Sequence, residues 1–119
     1  MEKGTIEKYL LSLNGSKSSK PFGPEALVFK VMDKMFALVS QETETSRVTL
    51  KCDPVDAVVL VSQFKAVVPG YHMNKKHWIT VSLTGDLPND MMLDLASQSY
   101  ERVVSQLTKA KKIELGKTR

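Results

Sequence analysis

The sequence predicts an α+β domain: a single antiparallel β-sheet with the terminal helices packed on one face, in the order α-βββ-α-ββ-α. Three observations predict it. Apolar residues at helical spacing occur near both ends and once in the middle. Alternating patterns cluster between those helices, and adjacent strands joined by short loops pair antiparallel. The 119 residues, 42% hydrophobic and 25% charged, fit one domain with one core.

The first helix is predicted over residues 4 to 13, where Ile6, Tyr9, Leu10 and Leu13 share a face and Thr5 is the N-cap candidate. Asn14-Gly15 ends it, and residues 14–24 read as a loop rich in Gly, Ser and Pro. Leu27, Phe29 and Val31 alternate in a first strand, Asp33-Lys34 is the candidate turn, and Met35 to Val39 returns. Arg47 to Cys52 is a third strand. Asp53-Pro54 then starts a helix, Asp53 capping and Pro54 in the first turn, although the valine-rich run that follows favours a strand. Tyr71 to Met73 is at most a short strand. His77 to Leu83 alternates cleanly, with Ile79, Val81 and Leu83 inward and Trp78, Thr80 and Ser82 on the opposite face. The last helix spans about 89 to 108, with Met92, Leu95, Ala96, Ser99, Val103 and Leu107 on one side. Residues 1–108 form the domain, and 109–119 read as a basic C-terminal tail without a continued apolar stripe.

The lone Cys52 excludes an internal disulfide framework and a four-cysteine zinc site. The longest apolar run, Ala57 to Val61, is five residues, against about 20 for a membrane span. The N-terminus shows neither an apolar core nor a cleavage signature, so a cytoplasmic protein, monomeric or weakly associating, is expected. The net charge of +4 is unevenly placed. Residues 1–108 hold 12 basic and 12 acidic side chains, whereas the last eleven hold Lys109, Lys111, Lys112, Lys117 and Arg119 against Glu114 alone.

Catalytic signatures are missing: H-E-x-x-H, G-x-S-x-G and C-x-x-C do not occur. Gly116-Lys117-Thr118 resembles the end of a phosphate-binding loop, but Lys111 stands where its first Gly belongs. His72 and His77 flank two lysines, which repel a cation. Asp90 and Asp94 stand in the first turns of a helix, where they complement its dipole. The reading is therefore no catalytic residues, no metal ligands and no cofactor. The segment Asn74-Lys75-Lys76-His77-Trp78 is different, because an aromatic ring beside ammonium groups can stack on a base while the lysines hold phosphate. A Trp78 covered by a helix is the competing interpretation.

Pro21-Phe22-Gly23, Val28-Phe29-Lys30-Val31, Lys34-Met35-Phe36-Ala37, the Pro69-to-Trp78 block, Gly85-Asp86-Leu87-Pro88 and Ser99-Tyr100 together resemble the bacterial MmcQ/YjbR family over residues 5 to 108. The resemblance implies a frataxin-like fold with a double-wing motif and DNA binding. It also raises iron handling, but Glu2, Glu7, Glu25 and Asp33 are interleaved with Lys3, Lys8, Lys30 and Lys34, so the acidic ridge that role requires is missing. The function expected is non-enzymatic DNA binding through Asn74, Lys75, Lys76, His77 and Trp78, with Lys109, Lys111 and Lys112 on phosphates. The alternative is a protein-interaction domain using the same loop to hold an unidentified protein. No membrane association is expected.

Overall fold

The computed structural model describes residues 1–42, 46–70 and 76–117. Its elements are α1 (Lys3–Ser12), β1 (Ser16–Ser19), β2 (Ala26–Val31), β3 (Lys34–Ser40), β4 (Arg47–Lys51), α2 (Pro54–Gln63), β5 (Val67–Pro69), β6 (Trp78–Ser82), α3 (Asn89–Ser105) and α4 (Lys109–Gly116). The expected order holds, with one strand and one helix added; β5 forms in a segment read as a loop, and the short strand expected at Tyr71 to Met73 lies outside the described residues. The strands form one antiparallel sheet in the order β1-β2-β3-β4-β6-β5.

Two local signals act as read. Asp53 caps α2, its carboxylate accepting the Val55 N–H at 2.9 Å, with Pro54 in the first turn. That start signal outweighs the β-branched run. At α1 the capping expectation fails: Glu2 is the N-cap and makes no side-chain capping bond. The β2–β3 turn sits one residue earlier than expected, centred on Met32 (φ 48°) and Asp33 (φ 67°). Positive φ at both central positions gives the twist that a two-residue hairpin needs.

Directly opposite residues share a face of the sheet. Phe29, Ala37, Leu50 and Ile79 lie in one row, and Val39, Val48, Val81 and Val67 in the next. This face joins Ile6 and Leu10 of α1, Ala57 of α2, Leu95, Ala96 and Val103 of α3 and Leu115 of α4 in a single core. One irregularity decides what enters it. Phe29 opposes Ala37 but Lys30 opposes Met35, so Phe36 is the extra residue of a bulge. The bulge turns Phe36 onto the helical face, its ring 6.5 Å from Phe29 and edge-on to Tyr100 at 5.4 Å. Leu38, which simple alternation groups with Phe36 in the core, is instead half-buried on the other face.

Ser99 of α3 closes the gap the bulge opens. Its Oγ donates to the Phe36 carbonyl at 2.6 Å and accepts the Lys51 N–H at 2.9 Å, tying β3 to β4 where their ladder ends. Ser99→Ala strands both backbone groups. A loss of about 1–3 kcal/mol is expected in urea unfolding, well above that of an ordinary exposed serine.

The C-terminal segment is not the undocked tail expected. Thr108 caps α4 by accepting the Lys111 N–H, and Leu115 is buried, its carbonyl accepting from Asn14 Nδ2 at 3.1 Å.

Two carboxylates fasten loops to backbone. Asp86 accepts the Ala66 N–H at 2.8 Å and the Lys65 N–H at 3.1 Å. These bonds, Ala66's foremost, hold its carboxyl below the usual aspartate range. The Val55 N–H, helped by Arg102 at 3.0 Å, does the same for Asp53. Both pKa values are lower folded than unfolded. Their stabilisation is therefore complete above the ordinary aspartate range and fades as pH falls through the lowered folded values. Urea midpoints should drop on the acid side, and Asp86→Asn should remove part of that slope.

Candidate nucleic-acid interface

The sheet has a second face. Among the described residues the buried helix side chains join the opposite face; on this one Val28, Thr49 and Thr80 are buried, and Leu38 and Trp78 are half-buried. The register places on it Lys17 and Ser19 of β1, Val28 and Lys30 of β2, Leu38 of β3, Arg47 and Thr49 of β4, and Trp78, Thr80 and Ser82 of β6. Thr49 and Thr80 meet hydroxyl to hydroxyl at 2.9 Å. None of the six strands contains Asp or Glu, whereas they carry Lys17, Lys30, Lys34, Arg47 and Lys51.

Lys17 stands directly opposite Lys30. Like charges at directly opposed positions destabilise a strand pair, and no strand acid sits nearby to offset them. The same end of the sheet carries Trp78, opposite Lys51. The gap from β1 to β6 is four strand spacings, roughly 19 Å.

Trp78 begins β6 on the face its alternation predicts, and it is half-buried. Its carbonyl accepts the Gly70 N–H at 2.7 Å. A Cβ on Gly70 would lie 2.6 Å from the Trp78 Cβ, so only glycine fits this row beside the indole. Lys76 and His77 are exposed immediately before it, and the His77 carbonyl accepts the Cys52 N–H at 2.8 Å. Asn74 and Lys75 lie outside the described residues.

Lys109, Lys111 and Lys112 lie on α4. Lys51 Nζ donates to Gln106 Oε1 at 3.0 Å, and α4 starts three residues later. The fold thus brings the start of α4 to the sheet end where β4 stops and β6 begins. Lys17, Lys30 and Arg47 are not in the sequence-derived set. The acid-free strands were the signal available for them, but a polar Ser-Lys-Ser-Ser segment has no strand pattern, and the pairing of Lys17 with Lys30 requires the register.

Cys52 is buried, and burial followed by the nearby Asp56 charge pushes its thiol upward, away from a thiolate. The cavity beside it, about 30 Å³, is lined by Asp53, Asp56, Ile79 and Leu95 among others. That is space for roughly one water.

The comparisons agree with this architecture. The YjbR family pattern matches residues 11–102. Escherichia coli O157:H7 YbdF is 36% identical over 105 residues, covering 88% of this chain and 86% of that protein. Escherichia coli K12 YjbR is 34% identical over 105 residues, covering 88% and 89%. A Deinococcus radiodurans protein known from a crystal structure superposes with a TM-score of 0.86 at 36% identity, covering 95% of this chain and 86% of that one. With the family pattern spanning the sheet and its helices, the chain belongs to the YjbR family.

Proposed function

We propose that this protein binds DNA, without catalysing a reaction, through the helix-free face of its sheet and the basic end beside it. The observation that carries the reading is the Lys17–Lys30 pair, two ammonium groups in direct register on an acid-free sheet. A phosphate between them converts a repulsive pair into two charge-assisted hydrogen bonds. Lys76 and the α4 residues Lys109, Lys111 and Lys112 extend the phosphate contacts. Trp78 offers a stacking surface, with Asn74 and His77 at the sugar or base edge. Because the lysines meet only phosphate, binding is largely independent of sequence. The double-wing likeness noted from the sequence points the same way.

Fluorescence-anisotropy titration with duplex and single-stranded oligonucleotides across a salt series tests this. With about three to five phosphates neutralised, log affinity should fall against log salt with a slope of about −3 to −4.5. Absence of salt-sensitive binding at low ionic strength overturns the reading.

A further inference from the structure

Helix α2 has two apolar stripes where a helix lying on a sheet needs one. Ala57, Leu60, Val61 and Phe64 face the core. On the outside stand Val55, Val58 and Val59, exposed to 71%, 71% and 46%, with exposed Ser62 completing an i, i+3, i+4, i+7 row. Valine is a mediocre helix former, so nothing local selects three of them for a solvent face. The stripe borders an open groove of about 570 Å³ lined by Pro54, Ala57, Val58, Val61, Ser62 and Pro69, with Lys76 at its rim.

The adjoining edge of β5 does not accept a strand. Gly70 donates to Trp78 and Ala66 accepts from Ser82, so the backbone groups of the alternating residues Val67 and Pro69 face away from β6. The Val67 N–H is already given to Phe64, and Pro69 has none. The occupant is therefore a surface that packs side chains, such as a helix.

We propose that this surface is a homodimer contact, in which α2 packs antiparallel on α2 of a second copy about a twofold axis. The stripe carries no charge, so two copies meet without repulsion, and an isologous contact needs only this self-complementarity. The charges lie at its ends with opposite sign. Exposed Asp56 stands in the first turn of α2, and exposed Lys65 lies just beyond its last, beside Asp86 of its own chain. Antiparallel packing brings the Asp56 end of each helix to the Lys65 end of the other and opposes the two helix dipoles favourably. A standard interface buries about 1,200–2,000 Å². A helix of 10 residues supplies less, so the dimer is weak and concentration-dependent. It leaves the helix-free sheet face uncovered.

Sedimentation equilibrium of the full chain without nucleic acid, over a wide concentration range, decides the matter. The mass should climb from one chain towards two. Val58→Glu places like charges together at the contact and should weaken association by about a hundredfold or more. The position is exposed, so thermal melting should confirm an intact fold. Asp56→Lys should weaken association, and Asp56→Lys combined with Lys65→Asp should restore it. A single-chain mass at every concentration overturns the proposal and leaves the surface to a different protein. Undiminished dimerisation of Val58→Glu overturns it as well.

Discussion

Phe36→Ala is expected to destabilise the protein by about 3–5 kcal/mol in urea unfolding. Phe36 is fully buried, touches the rings of Phe29 and Tyr100, and is placed there by a bulge whose carbonyl is held by Ser99. Removing the ring forfeits its transfer energy and leaves a cavity between sheet and α3 that rigid neighbours cannot close. Leu38→Ala, two residues on, should cost clearly less, because Leu38 sits half-buried on the other face. Equal costs would show that β3 runs without the bulge.

The second large effect separates binding from stability. Lys17→Glu should raise stability slightly, by about 0.2–1 kcal/mol, because a repulsive cross-strand pair with Lys30 becomes attractive. The same change should weaken DNA binding and lower the magnitude of the salt slope by about one. The double variant Lys17→Glu with Lys30→Glu restores like-charge repulsion, now negative. It should lose about two units of slope. Stability and affinity thus move in opposite directions in the single variant. If Lys17→Glu leaves affinity and slope unchanged, the pair makes no phosphate contact.

Elements whose signals are local were legible in the sequence. Asp53-Pro54 identified α2 despite its valines, and alternation around Ile79 and Val81 put Trp78 on the face opposite the core. Elements that exist through pairing were not. β1 is polar and becomes a strand because the edge of β2 needs a partner. The bulge at Phe36 is set by the β2–β3 register; it keeps Phe36 in the core and puts Leu38, which alternation groups with it, on the other face. Leu115 docks without a continued apolar stripe: Ile113 and Glu114 beside it are exposed, and Asn14, just after α1, holds its carbonyl. For the candidate site, Trp78, Lys76 and His77 could be picked out as a cluster of residue types. Lys17 and Lys30 are separated by a hairpin's length of chain and meet only when the strands pair.

The central claim is that DNA meets the helix-free sheet face. Backbone amide and indole N–H chemical shifts, followed by NMR while an oligonucleotide is titrated into the protein, test it most directly. The account predicts perturbations concentrated at Lys17, Lys30, Arg47, the Trp78 indole and the first turn of α4, with Val55, Val58 and Met92 unmoved. Perturbations confined to α2 and α3, with Lys17, Lys30 and Trp78 silent, would contradict it.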